Sequence, residues 1–454
     1  MAPRRRPNEN LRALLAEARW TQAALARAVN ALATEIDLDL NYDRTAVAHW
    51  LSGTHPAPPV PELIAEALTR RLGRAVSPAA AGLSGEPSGP AAGRLPASDT
   101  PIGTALTDLC SVENDPARRA AARMLPYREA ELAKLTTDVG DRVPMQRPPR
   151  GEPGDPDDLT VIRLAVRFYS TSFDAHGGRT ARSSLAAYLA DDIAPRLREP
   201  SGRAPRRGLL VEASRLSFLL ARMYQDASAH GLAQRHFATA LQLADESGDP
   251  TARAVVLRGL SAQGLALGHR RIALHAAEAA AASRTPEGPA RAFLLSQLAV
   301  TQAACGHHRA ARESLDRAER SLAKGSRAGN TGPFTAYSPG SMEFQSAEVL
   351  RYTGDLSAAR AALMNSLAHR SVEDHRALAL SHAQHAEILV GLGHVEEASA
   401  SWNSFLDHYG HLRSGAADLA AGRLRQMLTP FRKLPAASAV LHRALAVTSP
   451  SQHP

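Results

Sequence analysis

The stretch DRTAVAHWLSG at residues 43–53 has the pattern of a short helix with one apolar and one polar face. Asp43, or its neighbour, is placed to cap the start of this helix, and Gly53 is placed to end it. The apolar face carries Val47, Trp50 and Leu51, and the polar face carries Arg44, Thr45, Ala48 and His49. We therefore expect a helix that packs inward through its tryptophan and presents an arginine and a histidine to solvent.

Two amphipathic helices are predicted before this stretch and one after it. The first has an apolar face formed by Leu11, Leu14, Leu15 and Ala18, and the second begins after the cap Thr21 and buries Leu25, Ala28, Val29 and Leu32. An acidic connection, TEIDLDLNY, leads to residues 43–53, and PPVPELIAEALTRRLG supplies the closing helix. Four helices of this kind predict a compact domain over residues 8–76.

This order of helices is typical of a helix-turn-helix domain, whose third helix enters the major groove of DNA. Arg44 suits a bidentate contact to guanine, His49 suits a base edge, and Thr45 suits a base or a phosphate. Gln22, at a helix start, suits a phosphate, as do the arginines nearby. The predicted DNA-binding residues are Arg19, Thr21, Gln22, Arg27, Arg44, Thr45 and His49.

Several of these residues have a second interpretation. Arg44 is also placed to pair with the neighbouring Asp43, and His49 can be an exposed side chain without a ligand. The run Arg4–Arg6 is either an arm that grips phosphates or a solvated tail. The individual base contacts are therefore hypotheses within a domain whose helix lengths, caps and polarity all agree.

Basic charge is concentrated near the N-terminus. Residues 1–34 contain six arginines and two glutamates, a net charge of +4, in a chain whose net charge is +8 and whose pI is about 9.9. Such a charge is compatible with a polyanionic partner. Its position agrees with DNA binding by the first domain.

The rest of the composition favours an intracellular, all-helical protein. Aromatic residues are 4% of the chain and alanine is frequent, so the cores are expected to consist of closely packed helices. Cys110 and Cys305 lie far apart, which excludes a disulfide framework and a CxxC metal site. Because the sequence has no secretory leader and no run of about 18 apolar residues, we expect a cytoplasmic protein without membrane association.

Low-complexity stretches divide the remainder of the chain. Residues 77–103 are rich in Pro, Gly, Ala and Ser, which predicts a flexible linker. A short helical segment is predicted at 104–135 and a second linker at 136–158. Helix follows helix from residue 159 to residue 446.

An internal repeat predicts that residues 159–446 form a helical solenoid. Four segments begin at Gly268, Gly306, Gly354 and Gly393 and carry an alanine five residues later, at Ala273, Ala311, Ala359 and Ala398. An earlier unit with Ala233 and Phe237 fits without the glycine. A helix on each side of every glycine gives a series of antiparallel hairpins with a concave groove.

These motifs resemble known families. Gln22 and WLSGTHPAPP are similar to the Cro/repressor-type (XRE) domain, although the connection at residues 33–42 is longer than is usual there. The glycine and alanine repeat resembles the tetratricopeptide (TPR) repeat, with alanines 40, 38, 48 and 39 residues apart in place of about 34. PNENLRALLAEARWTQAALARAVN, YDRTAVAHWLSG and the repeat together resemble actinobacterial regulators that join an XRE-type domain to a TPR-like solenoid. The resemblance implies control of development or secondary metabolism.

The TPR resemblance also places a candidate peptide site in the concave groove. The same groove-lining position of three successive first helices is occupied by Gln297, Gln345 and Gln384, and the expected neighbours are Arg258, Glu348, Arg351 and Glu387. Side-chain amides suit hydrogen bonding to the backbone of an extended peptide. The alternative is that three glutamines share this position by chance.

No motif of an enzyme is recognisable. The sequence contains no evident Ser-His-Asp constellation, paired carboxylates or nucleotide fingerprint. The histidines after the repeat glycines, His269, His307 and His394, are expected in turns on separate hairpins and not around a metal ion. We therefore expect no catalytic residues, no cofactor and no metal site.

The sequence thus predicts an all-α transcriptional regulator that binds double-stranded DNA through its N-terminal domain. The solenoid is expected to bind a peptide or protein partner or to form a homodimer, and to act on the DNA-binding domain through the linker. The alternative is an interaction scaffold without sequence-specific DNA binding. The salt dependence of DNA binding distinguishes the two.

Overall fold

Every regular element of the described chain is helical. The computed structural model describes residues 7–36, 38–74, 76–83, 100–137, 156–198, 206–324 and 337–448. No strand occurs in these ranges, which confirms the predicted all-α fold. Arg4–Arg6, most of the predicted linkers at 77–103 and 136–158, and most of the loop between residues 324 and 339 lie outside the described residues.

Four helices form the N-terminal unit: α1 Glu9–Ala18, α2 Gln22–Glu35, α3 Arg44–Leu51 and α4 Val60–Leu72. The side chains of Asn8, Thr21 and Asp43 accept hydrogen bonds from the first free backbone N–H groups of α1, α2 and α3. Such caps satisfy donors that have no partner within the helix. The sequence therefore fixes where these three helices start.

One apolar core joins the four helices. Each helix contributes at least one completely buried residue, namely Leu11, Leu25, Val47 and Leu63. Trp50 is only 4% exposed. Burial of a large apolar side chain contributes about 1.5 to 3 kcal/mol to stability. The predicted inward face of residues 43–53 is confirmed.

The packed unit continues past α4 to Leu83, beyond the predicted domain end at residue 76. Val76, Ala81 and Leu83 are buried in the same core. The side-chain amide of Asn8 donates to the carbonyl oxygens of Ala81 (2.9 Å) and Gly82 (3.0 Å). The first and last turns of the unit are therefore held together.

Three helices of the middle segment, α5 Ile102–Asn114, α6 Pro116–Arg123 and α7 Glu129–Thr137, pack on the helices that follow them in sequence. Asp115 caps α6 and Pro116 is its first residue, a position where the missing N–H of proline costs nothing. α8 Pro156–His176, α9 Arg182–Tyr188 and α10 Ala194–Arg198 come next, with a π-helical turn, Leu189–Ile193, between α9 and α10.

Antiparallel helix pairs form the remainder. They are α11 Arg206–Asp226 with α12 His230–Ser247, α13 Pro250–Ala266 with α14 Arg270–Ala282, α15 Pro289–Ala304 with α16 His308–Lys324, α17 Pro339–Thr353 with α18 Leu356–Ala368, α19 His375–Gly391 with α20 Val395–Tyr409, and α21 Gly415–Leu428 with α22 Pro435–Thr448. Each pair packs closely and contacts the next pair. This arrangement is a helical solenoid, as predicted.

The turns of the middle hairpins show why the glycines recur. Gly268, Gly306, Gly354 and Gly393 have φ values of 84°, 83°, 87° and 84°, a left-handed conformation that glycine adopts without a steric penalty. The alanines five residues later are completely buried, which lets the paired helices approach closely. In the hairpin without the glycine, Ser228 takes the left-handed conformation instead, with φ 61°.

The two ends of the solenoid are in contact through Asp226. This buried carboxylate at the end of α11 accepts hydrogen bonds from the N–H of Gly178 (2.9 Å), the hydroxyl of Ser414 (2.9 Å) and the guanidinium of Arg376 (2.8 Å). Gly178 precedes the first hairpin, and Ser414 caps the last pair. The helical array therefore closes on itself around a central space.

Candidate nucleic-acid interface and solenoid groove

The exposed face of α3 carries the side chains predicted to contact bases. Arg44, Thr45 and His49 are exposed, whereas Val47 and Trp50 on the opposite face are buried. Each exposed side chain belongs to a helix fixed in place by its buried face. Exposed side chains at these positions suit contacts with base edges in the major groove.

The Asp43 carboxylate serves as a cap and leaves Arg44 free. It accepts hydrogen bonds from the backbone N–H groups of Thr45 (2.8 Å) and Ala46 (3.0 Å). The bond from Ala46 lowers the pKa of Asp43, so the carboxylate is charged at neutral pH. The ion pairs among the described residues do not include Arg44, so the alternative Asp43–Arg44 pair is not formed.

A polar contact that sequence reasoning missed fixes the long connection before α3. The Asn30 side chain accepts a hydrogen bond from the backbone N–H of Tyr42 (3.0 Å) and donates one to its carbonyl (2.9 Å). The Tyr42 ring packs edge-on against Trp50, with ring centroids 5.1 Å apart. Tyr42, close to the start of α3, is therefore held by α2 through its backbone and by the core face of α3 through its ring.

The start of α2 presents the remaining predicted DNA contacts. The Thr21 hydroxyl accepts a hydrogen bond from the N–H of Ala24 (3.1 Å), and Gln22 is exposed in the first turn. Arg19 and Arg27 are exposed as well. The first turn of a helix offers free N–H groups and a partial positive charge, both of which favour a phosphate.

The glutamates of the N-terminal unit that form ion pairs do so with other arginines. Glu17 pairs with Arg74 (2.5 Å), and that hydrogen bond lowers the pKa of Glu17. The ion pairs of the described residues do not include Arg19 or Arg27. The exposed faces of α2 and α3 therefore keep their positive charge.

On α4, Arg70 joins the N-terminal unit to the rest of the chain. Its guanidinium binds Glu35 at 2.7 Å and Glu66 at 2.9 Å, and it donates a hydrogen bond to the carbonyl of Tyr127 at 3.0 Å. Arg128 adds an ion pair with Glu62, at 2.9 Å. We call Glu35, Glu66 and Arg70 the Arg70 cluster.

Residues 127–129 are in turn held by the solenoid. The backbone of Arg128 exchanges two hydrogen bonds with the buried side chain of Gln234, at 2.8 and 2.7 Å. The Tyr127 ring stacks on His269, with centroids 5.1 Å apart. A hydrogen bond from His269 lowers the pKa of Glu129. This segment therefore forms a bridge between α4 and the helices α12 and α14.

The predicted groove glutamines lie on three successive first helices, α15, α17 and α19, but two of the amides have protein partners. Gln297 is buried and donates to the hydroxyl of Ser261 at 3.3 Å, and Gln384 donates to the Glu348 carboxylate. Gln345 is half-buried and lines a cavity. A row of three amides for one peptide stays a prediction, and of these three side chains Gln345 is the one that lines the cavity.

The predicted charged neighbours do not converge on one point. Arg351 pairs with Glu348 at 3.0 Å on the same helix, and Glu387 pairs with Arg423 on α21 at 2.7 Å. Arg258 lines the same cavity as Gln345, with its guanidinium 3.9 Å from the centre of the Phe293 ring. Within the described residues, the cavity thus brings together Arg258 and Gln345 but not the other candidates.

The described residues contain neither a candidate metal site nor a candidate membrane-spanning helix. Within the described ranges, no group of three or more His, Cys, Asp and Glu side chains is arranged to hold a metal ion. Among the helices of those ranges, none combines the length and the apolar character that crossing a bilayer requires.

Comparison with known proteins concerns the N-terminal unit. Residues 11–84 match the family described as SP15 N-terminal domain. This match ends one residue after Leu83, the last described residue of the N-terminal core. The matched families include neither an XRE nor a TPR family, and no curated protein matches the chain. Since the match covers well under half of the 454 residues, the similarity describes the N-terminal unit and not the whole protein.

Proposed function

We propose that this protein is a DNA-binding transcriptional regulator and that α3 is its recognition helix. One observation carries the proposal: Arg44, Thr45 and His49 stay exposed although α4 is docked on the bridge at residues 127–129, which the solenoid holds. A surface that served only to pack domains together would be covered by this docking. The recognition face is therefore available to DNA in the docked form.

Each exposed residue suits a definite contact with DNA. Arg44 suits the two acceptors of guanine, and His49 and Thr45 suit neighbouring base edges or a phosphate. Gln22, Arg19 and Arg27 suit the phosphates that flank the major groove. This division assigns sequence recognition to α3 and most of the salt-dependent affinity to α2 and the end of α1.

The solenoid is proposed to regulate this domain by binding a peptide or protein partner. Support comes from the central space lined by first helices and from the Arg70 cluster, which couples that array to α2 and α4. A partner that favours either the docked or the released state shifts the population of the two. The resemblance to actinobacterial XRE and TPR-type regulators agrees with this scheme and suggests development or secondary metabolism as the process under control.

Dimerisation through the solenoid is a second candidate role, favoured by an exposed apolar stripe on α8. Val161, Leu164 and Phe168 lie on one face of this helix and are 57, 56 and 63% exposed. Light scattering after size exclusion measures the mass in solution. A dimer that becomes a monomer in Phe168→Ser supports this role, and a wild-type monomer contradicts it.

DNA binding is tested with genomic fragments, gel shift and footprinting on the full-length protein. We expect sequence-specific protection that Arg44→Ala with His49→Ala abolishes, together with an affinity that falls steeply with salt. Arg12→Ala is the matched control, because Arg12 is an exposed arginine of α1 paired with Glu9 and outside the recognition face. Salt-sensitive binding without sequence preference, or no binding, favours the interaction scaffold instead.

A further inference from the structure

A cavity of about 270 Å³ lies inside the helical array, where the first helices of successive hairpins face one another. Its walls come from α8, α11, α13, α15, α17 and α19. Four arginines line it, Arg222, Arg258, Arg370 and Arg376, and we call it the arginine cavity. These arginines are far apart in sequence, so the closed array is what brings them together.

Aromatic rings hold all four guanidinium groups. Arg222 and Arg376 both lie over the ring of Phe173, with their Cζ atoms 4.9 and 4.6 Å from its centre. Arg258 lies over Phe293 at 3.9 Å, and Arg370 lies over Phe344 at 5.8 Å. Stacking on a ring positions a guanidinium without using its N–H donors. The donors at the edges therefore remain available to a ligand.

The charge of the arginine cavity is not neutralised by the protein. Arg376 is paired with Asp226 at 2.8 Å, which leaves three guanidinium groups. Among the described residues that line the cavity, Asp174 is the only acid. Burial lowers the pKa of Arg370, and the charge of Asp374, which lies outside the lining but near Arg370, acts against this lowering. Three positive charges against two negative charges leave an excess of one. A buried excess of this kind is costly unless an anion compensates it.

Arg258 shows this lack of compensation most clearly. Its side chain is 9% exposed, and its buried Nε has no hydrogen-bond partner in the described protein. Burial lowers the pKa of Arg258 to about 9. The buried Nε of Arg370 likewise has no partner there. Orphaned donors in a cavity lined by serine, tyrosine and glutamine indicate a site that is completed by a ligand.

We propose that the arginine cavity binds an anionic group through its phosphoryl or carboxylate oxygens. Guanidinium groups match both kinds of oxyanion in bidentate geometry. The charged group can belong to a small free molecule or to an acidic peptide. The inference rests on the ligand-binding role proposed for the solenoid and names the chemistry of that ligand.

The position of the cavity connects such a ligand to the DNA-binding unit. A second cavity of about 340 Å³ shares Arg222 and Arg376 with the arginine cavity, and its wall includes Thr34 and Glu35 of α2. Glu35 also belongs to the Arg70 cluster. Arg222 and Arg376 therefore belong to both cavities. An anion that reorients either side chain in the arginine cavity also changes the wall of the second cavity, to which Glu35 belongs.

Thermal unfolding and calorimetric titration of the full-length protein test the proposal. Inorganic pyrophosphate represents a free small molecule, and a tetraglutamate peptide represents an acidic chain, each against sodium chloride of equal ionic strength. We expect at least one probe to raise Tm by about 2 to 4 °C at saturation. Binding of pyrophosphate alone identifies a small molecule as the source, and binding of the peptide alone identifies a peptide.

Arg258→Met separates a ligand site from a structural role. Removal of an unpaired buried charge should raise Tm without ligand and abolish the rise caused by the probe. Arg370→Met gives the same test at a second position. Arg309→Gln is the control, because it removes one charge at an exposed residue of α16. It should leave unchanged both the Tm without ligand and the rise of Tm caused by the probe. A lower Tm in both cavity variants with an intact response to the probe overturns the proposal, as does no response of the wild-type protein to either probe.

DNA binding of the wild-type protein, measured in the same buffer, keeps the two proposals apart. Probe binding without specific DNA binding contradicts the regulator and leaves the arginine cavity supported. Specific DNA binding without probe binding contradicts only the arginine cavity.

Discussion

The guanidinium of Arg70 in α4 donates a hydrogen bond to the main-chain carbonyl of Tyr127, 3.0 Å away and 57 residues later in the chain. The same guanidinium neutralises Glu66, whose side chain is only 5% exposed. Burial raises the pKa of Glu66, so this carboxylate depends on its partner. The stability of the N-terminal unit and its attachment to the solenoid thus rely on one side chain.

We expect Arg70→Met to lower the free energy of unfolding by about 3 to 5 kcal/mol, because Glu66 is left buried without its partner. Urea denaturation measures this loss, and hydrogen exchange should show faster exchange of the backbone amides of residues 127–129. Arg12→Met, which breaks an exposed pair with Glu9, should change stability by no more than about 0.5 kcal/mol. Equal losses in the two variants would contradict a special role for Arg70.

A buried histidine should make stability fall in acid. Burial lowers the pKa of His236 to about 3 from an ordinary value of 6.5, and the ring stacks on Tyr224 with centroids 5.0 Å apart. The unfolded chain therefore binds a proton between pH 6.5 and about 3 that the folded chain does not bind. The contribution of His236 to stability is complete above pH 6.5 and falls by about 1.4 kcal/mol for each pH unit below it.

Urea denaturation between pH 7.5 and 5 measures this slope. His236→Phe keeps a ring against Tyr224 and should remove about 1.4 kcal/mol per pH unit from it. Burial also lowers the pKa of His382, to about 4, so a smaller slope of the same sign should remain. An unchanged slope in His236→Phe would exclude this histidine as its source.

Local signals explain how much of the fold was predictable. The cap at Asp43, the buried Trp50 and the glycine turns such as Gly354 each depend on a few neighbouring residues, so the sequence displays them directly. The extension of the first unit to Leu83 was missed, because Ala and Gly-rich composition resembles a linker whether or not the segment is packed.

Contacts between distant residues explain what was not predictable. Asp226 and Ser414, which close the solenoid, are 188 residues apart, and neither belongs to a recognisable motif. The repeat predicted that Gln297, Gln345 and Gln384 lie on successive first helices, and the structure places them there. The repeat did not predict the partners of Gln297 and Gln384, because those partners come from neighbouring hairpins. For the same reason, the sequence did not predict that Arg222 and Arg376 line the arginine cavity.

Asn30 should control the position of the recognition helix. In Asn30→Leu, the backbone N–H and carbonyl of Tyr42 lose their partners, and we expect a loss of about 1 to 3 kcal/mol in the free energy of unfolding. DNA affinity should fall at least about tenfold at a temperature where the protein is still folded, because α3 is no longer held in one orientation.

Gel shift and circular dichroism on the same samples separate these two effects. Asn41→Leu is the matched control, since Asn41 is an exposed asparagine in the same connection. It should retain both affinity and stability. Full DNA affinity in Asn30→Leu would show that the Asn30 contact does not position α3.

One substitution should have opposite effects at two glycines. At Gly354, with φ 87°, an added Cβ meets no atom within 4 Å, so Gly354→Ala tests backbone strain alone and should cost about 1 kcal/mol. Gly422, inside α21, also has open space around it, and Gly422→Ala should stabilise by about 0.5 to 1 kcal/mol.

Ser228→Gly should relieve the strain of the hairpin without the glycine by about 0.5 kcal/mol. Denaturation midpoints of the three variants check these signs, and a stabilising Gly354→Ala would show that the repeat glycines are not required by the conformation of the turn.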